Sequence, residues 1–260
     1  MAVACSNDDG VVAGGGNTQT PAKQRLLHSV KITEEGSDGE RCLTIKYDDL
    51  NRIIEFSDIE YSDYGVDHRA SYMTYNSDGT ILHRSRYNGS DYYEYIVTTN
   101  IDGTLATVYD KDEDETYYYQ YDSEKRLTSS FDDDDNYELF EWKDGNMVRN
   151  TSKWSYMEED EKNVTYCHYN NMSIGNINID VNWILYTYGE IFIMHPDDLL
   201  GTNSLFKQRN TNYLKYITDN WGTTTFDWTF DNQAYPTKCL ITLKYDEEEI
   251  LYTCTFEYLN

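Results

Sequence analysis

The stretch Tyr117-Tyr118-Tyr119-Gln120-Tyr121-Asp122-Ser123-Glu124-Lys125-Arg126-Leu127 holds the grammar of the whole chain. Tyr117, Tyr119 and Tyr121 fall on one side of an extended strand, because side chains alternate with period two. The polar run that follows is a tight turn, and Leu127 opens the next strand. The same unit occurs at Tyr47-Asp48-Asp49-Leu50-Asn51-Arg52-Ile53 and at Tyr75-Asn76-Ser77-Asp78-Gly79-Thr80-Ile81. It returns at Thr99-Asn100-Ile101-Asp102-Gly103-Thr104-Leu105 and, one residue shorter, at Trp142-Lys143-Asp144-Gly145-Asn146-Met147. An aromatic closes one strand and an aliphatic opens the next; Thr99 is the exception. Asp-Gly pairs supply the positive φ that a hairpin turn requires. Starting points at 47, 75, 99, 121 and 142 leave room for two strands per unit, which describes a β-meander with internal repetition.

Alternation extends beyond these units, to Leu43/Ile45/Tyr47, Tyr93/Tyr95/Val97 and Ile250/Tyr252/Cys254/Phe256/Tyr258. In the last hairpin, a turn centred on residues 246–249 places Cys239 diagonal to Cys254. A tighter loop at Asp246-Glu247 places the two directly opposite, within reach of a disulfide. Helix signals are few. One helical turn is expected at Pro196, with Asp197 and Asp198 early and Leu199-Leu200 behind them.

Composition narrows the function classes. The chain has 47 acidic and 21 basic side chains, a formal charge of −26, which repels nucleic acid and anionic headgroups. Its 26 Tyr against 8 Phe and 5 Trp suggest rings with one wet end, since a buried hydroxyl needs a partner. No window holds the ~18 apolar residues of a membrane helix. Strand faces carrying Thr44, Lys46, Glu94 and Gln120 lack the apolar band of a transmembrane barrel, so the body reads as soluble.

The segment Met1-Ala2-Val3-Ala4-Cys5-Ser6-Asn7-Asp8-Asp9 puts small residues directly before a cysteine. This resembles the end of a bacterial lipoprotein signal, with Cys5 as the acylated residue and the following acids as a surface-export tag. The Gly-, Thr- and Asn-rich stretch after it suits a flexible tether. The expected organisation is an anchor and tether over residues 1–24 and a single all-β domain over residues 25–260.

The pairs Tyr47-Asp48 with Arg52, and Tyr121-Asp122 with Arg126-Leu127, resemble the tyrosine-aspartate repeats of large secreted bacterial shell proteins. The chain is more similar to a domain-of-unknown-function family of gut-bacterial lipoproteins described as having a porin-like fold. Its marks are the acidic tail after Cys5, the hairpins, and Phe230-Asp231-Asn232-Gln233-Ala234-Tyr235-Pro236-Thr237-Lys238 before the final strands. The loop over residues 201–207, followed by Asn210, resembles that family too. Ala234 stands where a Gly is expected in the turn. The resemblance implies an all-β antiparallel meander curled toward an open or partial barrel, with minor helix. It transfers no functional residue.

The acidic runs Asp110–Glu115 and Asp132–Asn136 suggest calcium, but neither has the Gly of an EF-hand loop, and each falls where the meander needs a turn. His28, His68, His83, His168 and His195 sit in no nucleophile or zinc motif. Trp142, Trp154, Trp183, Trp221 and Trp228 offer rings for a carbohydrate platform. Cys42, Cys167, Cys239 and Cys254 all suit inward positions as free thiols, and only Cys239 and Cys254 are close enough in register for a disulfide. The expectation is a non-catalytic, lipid-anchored outer-membrane protein, surface-exposed or periplasmic, with a binding or assembly role and no cofactor. It would touch the membrane through its anchor only and take a glycan or an envelope protein as partner. The alternatives are a carbohydrate-binding or carbohydrate-active component of glycan uptake, and a calcium-stabilised adhesion module.

Overall fold

The computed structural model describes residues 24–62, 65–90, 93–158, 161–186, 210–245 and 248–259. Cys5 with its tether, the helical turn expected at Pro196 and the loop over residues 201–207 lie outside them.

Sixteen antiparallel strands follow one another around a closed barrel. They are β1 (Leu26–Glu34), β2 (Glu40–Tyr47), β3 (Ile53–Ser62), β4 (Gly65–Tyr75), β5 (Ile81–Tyr87), β6 (Tyr93–Thr99), β7 (Leu105–Asp110) and β8 (Glu115–Tyr121). They continue as β9 (Leu127–Phe131), β10 (Tyr137–Lys143), β11 (Asn146–Lys153), β12 (Asn163–Ser173), β13 (Asn212–Thr218), β14 (Gly222–Phe230), β15 (Pro236–Tyr245) and β16 (Glu248–Leu259). The barrel is complete rather than partial because β1 pairs with β16 from Leu26↔Leu259 to Glu34↔Tyr252. Closure removes the two edges that a half-barrel would expose.

One loop geometry recurs at the end where even-numbered strands pass to odd-numbered ones. Asp48 N donates to Arg52 O (3.0 Å) and Asn51 N to Asp48 O (2.9 Å); the turns at Asn76, Asn100, Asp122 and Asp231 repeat this pattern. The fourth residue is left-handed each time: Asn51 at φ 59°, Gly79 at 89°, Gly103 at 80°, Lys125 at 64° and Ala234 at 63°. This is a three-residue hairpin loop with a left-handed closing residue. Ala234 thus keeps the turn that Gly would make, at a conformational cost. The opening Asp stitches the loop together: Asp48 Oδ1 accepts from Leu50 N and Arg52 N, both at 2.9 Å. Asp132 does the same for Asp134 N and Asn136 N, so that acidic run uses its first carboxylate as a turn staple.

At one end of the barrel the register slips by one residue at seven of the eight junctions. The extra residues are His28, Ile54, Ala106, Thr128, Val148, Lys215 and Thr237. A bulge interrupts the ladder and leaves a buried carbonyl to be satisfied. An aromatic from the next hairpin strand supplies the donor. Tyr47 Oη donates to Leu27 O (2.6 Å), Tyr75 Oη to Ile53 O (3.0 Å), Trp142 Nε1 to Leu127 O (2.7 Å) and Tyr169 Oη to Met147 O (2.6 Å). Trp228 Nε1 donates to Leu214 O (2.7 Å) and Tyr258 Oη to Pro236 O (2.9 Å). Tyr121 holds the seventh place, but its buried hydroxyl makes no hydrogen bond among the described residues. The pattern accounts for four of the 26 tyrosines: the rings pack in the apolar lumen while their hydroxyls serve the backbone. Burial pushes the Tyr47 and Tyr75 hydroxyls up to about 12, so they stay protonated donors.

The same end is plugged by the segment after β12, which the sequence reading missed. It carries Ile177, Ile179 and a short helix α1 (Val181–Tyr186), all buried. Asp180 caps α1, accepting from Asn182 N at 3.0 Å. Asparagine side chains seat the plug on strand backbones. Asn178 Oδ1 accepts from Leu27 N (2.8 Å), Asn182 Oδ1 from Leu214 N (3.0 Å) and Asn210 Oδ1 from Met147 N (2.8 Å).

Tyr258→Phe would leave the Pro236 carbonyl without its donor. We expect a loss of about 1–3 kcal/mol, read as a melting point lower by roughly 2–10 °C, while exposed Tyr61→Phe leaves it unchanged. Ala234→Gly should raise stability by about 0.5–1 kcal/mol by relieving the left-handed residue, and an unchanged or lower melting point would contradict that strain.

Candidate functional site

The junction between β4 and β5 is the one that lacks a bulge: Tyr75↔Ile81 and Thr74↔Leu82 run in unbroken register. The aromatic that would serve it belongs at the end of β6, and that position is Thr99. Sequence and register therefore break at the same place. With no slipped carbonyl to satisfy, no ring is needed there, and its absence opens a cleft of about 500 Å³.

The cleft lies among β3, the β4–β5 and β6–β7 turns, and the plug. Ile53, Ile81 and Ile179 form an apolar floor, each at most 5% exposed. Tyr75 makes one wall, with the Arg52 guanidinium 4.0 Å over its ring. Arg52 is held there by Asp48, whose Oδ2 accepts from Arg52 Nε at 2.7 Å. That contact, with the turn amides, keeps the Asp48 carboxyl below the usual carboxylate range. Gly79, at φ 89°, has open space where a Cβ would stand, so the turn does not crowd the opening. Asn51, Gln24 and Thr99 add amide and hydroxyl groups around the rim. An apolar floor with a few polar groups at the mouth is the usual form of a small-molecule site.

Away from the plug, the lumen turns polar. Arg41 grips Asp58 through Nε–Oδ1 (2.9 Å) and Nη2–Oδ2 (2.6 Å). Asp110, Ser130, Glu138 and Asn150 are buried on the far side, with Ser130 Oγ donating to Glu138 at 3.3 Å. Burial raises the Glu115 carboxyl, partly offset by the Tyr117 hydroxyl that donates to it at 2.6 Å. Asp110 Oδ1 accepts from Asp112 N (2.8 Å) and Glu113 N (3.2 Å), stapling its own loop as Asp132 does.

The other sequence candidates are dispersed. Trp142 and Trp228 are backbone donors in the lumen, Trp183 is buried in the plug, Trp154 is half-buried, and Trp221 is 63% exposed on the β13–β14 turn. They form no single stripe. Tyr245↔Glu248 pairing gives the tighter final loop, so Cys239 lies directly opposite Cys254, both as free thiols. Burial pushes the Cys254 thiol up to about 12 and that of Cys239 upward as well. Cys42 departs from the inward placement expected of it: it lies between inward Arg41 and Leu43, and its Sγ donates to outward Glu40 at 3.2 Å. The cleft itself was missed. Thr99 was visible as an exception, but its meaning depended on the bulges, which no local pattern encodes.

In fold, this chain is similar to a porin-like protein. The crystal structure of a porin-like protein from Bacteroides uniformis ATCC 8492 superposes with a TM-score of 0.65 at 13% identity, over 90% of this chain and 96% of that one. A porin-like protein from Bacteroides vulgatus ATCC 8482 matches at 0.35 and 13%, over 91% and 99%. No family model and no curated protein sequence matches the chain. The porin-like likeness covers the barrel as a whole and assigns no site within it.

His83 gives the polar lumen a pH signature. Its ring stands 5.3 Å from Tyr95 and is buried, which pushes the imidazole down to about 4 from 6.5. The unfolded chain therefore takes up this proton first as pH falls. Stability from this group is intact above pH 6.5 and is lost progressively between 6.5 and 4, about 2 kcal/mol by pH 5. In His83→Gln the drop in melting point between pH 7 and pH 5 should shrink by roughly 4–8 °C; identical drops would show that His83 is not the cause.

Proposed function

We propose that the chain is a non-catalytic, lipid-anchored binding protein of the bacterial envelope, akin to the gut-bacterial lipoproteins its hairpins resemble. On this reading the barrel stands in water beside the membrane instead of crossing it. The observation that carries the proposal is the inversion of wall and lumen. Outward strand positions hold cross-strand ion pairs: Lys46–Glu55 (2.7 Å), Arg84–Glu94 (2.7 Å), Arg149–Glu141 (2.6 Å) and Lys244–Glu249 (2.6 Å). Lys31 pairs with Glu40 in the same way. In water such pairs contribute little. A basic residue on a lipid-facing strand costs about 2–4 kcal/mol at the bilayer midplane, so this wall suits water. The buried aliphatic cluster is inside, where a conducting porin keeps a polar channel.

Cys5 and the tether support the anchor. β1 begins at Leu26 at the plugged end, so a tether leading into it would hold that end toward the membrane and turn the polar end outward. The cleft beside Thr99 supplies the binding half of the reading.

Expressed behind a lipoprotein signal in a Gram-negative host, the chain should enter the detergent phase on Triton X-114 partition, and Cys5→Ala should move it to the aqueous phase. A Cys5→Ala protein that stays with detergent, or that conducts ions across a planar bilayer, would sink the proposal.

A further inference from the structure

The cleft is the place where this barrel omits something it supplies elsewhere. At the bulged junctions a phenol or indole ring of the chain's own lies against the aliphatic that opens a strand, as Tyr75 lies beside Ile53 and Trp142 beside Leu127. At Ile81 the equivalent ring is missing, because β6 ends in Thr99. We infer that the cleft binds a small aromatic molecule bearing a hydroxyl, carbonyl or carboxylate group. Its ring takes the place that a closing tyrosine or tryptophan takes in the other hairpins.

Three features of the cleft agree with this class. The floor of Ile53, Ile81 and Ile179 is aliphatic and buried, which favours a flat apolar ring over a hydrated sugar. The ring of Tyr75 is already covered by Arg52, so the stacking face a pyranose would use there is taken. Among the described residues the lining includes no Asp or Glu, although the chain carries 47 of them. Neutral and anionic aromatics are therefore admitted, with the Asn51 amide, the Thr99 hydroxyl and the remaining Arg52 N–H groups to meet their polar substituent. At about 500 Å³ the space accepts a ring with substituents.

The inference deepens the binding half of the proposed function, and its test is independent of the anchor. The Cys5→Ala chain in solution is titrated by ligand-observed NMR with 4-methylphenol and 3-methylindole, the side chains of Tyr and Trp. Glucose and cyclohexanol serve as non-aromatic comparisons. The aromatic probes should bind with dissociation constants on the order of 0.1–1 mM, at least tenfold tighter than either comparison. Thr99→Tyr fills the niche with the chain's own ring, so it should weaken both aromatic probes tenfold or more. Thr99→Leu, which fills it partly, should weaken them less. Absence of aromatic binding, equal or better binding of glucose or cyclohexanol, or full binding by a folded Thr99→Tyr would each overturn the inference. None of these outcomes bears on detergent partition, so the anchor reading stands or falls separately.

Discussion

The structure depends on a bargain between slipped register and aromatic donors. A barrel with an apolar, plugged end needs its strands to bend there, and a bulge provides that bend at the expense of a ladder bond. Each bulge exposes a carbonyl inside an apolar lumen, where an unmet acceptor costs more than a made bond gains. The ring that meets it must be large enough to fill the lumen and must carry a donor at its far tip. Only tyrosine and tryptophan satisfy both conditions. At six of the slipped junctions curvature, core packing and backbone satisfaction are thus handled by one side chain, and each such hairpin relies on the next.

The plug extends the same logic with a different residue. Where the ladder cannot continue, asparagine amides stand in for a neighbouring strand, as Asn178 does for Leu27 and Asn210 for Met147. Asparagine offers a donor and an acceptor on one short arm, so it can imitate a peptide group. The apolar residues between them, Ile177, Ile179 and the helix face, then close the lumen.

Much of the fold was legible because its rules are local. Tyr121-Asp122 with Arg126-Leu127 names a strand end, a stapled turn and a strand start within seven residues, and the structure has all three. Even the tight final loop, and with it the direct Cys239–Cys254 pairing, was one of two registers visible in the alternation. What was not legible depends on partners far apart in sequence. Closure rests on β1 meeting β16. The plug reads as Ile-Asn-Ile-Asp-Val-Asn, an alternation indistinguishable from a strand until its amides find their distant backbones. Cys42 looked inward by type, yet the phase of its strand, set by Leu43 and Ile45, turns it out.

Seen as a lineage, the hairpin is the natural unit of change. A duplicated hairpin brings both a carbonyl in need and a ring to serve its neighbour, so strand pairs can be added or removed without stranding a polar group. A single strand could not be gained that way. The unslipped junction at Tyr75↔Ile81 goes one step further. There the ring has become dispensable, and the residue at position 99 is released from structural duty. A substitution at that position alters the cleft while leaving the surrounding backbone bonds untouched, a freedom the other hairpin ends lack.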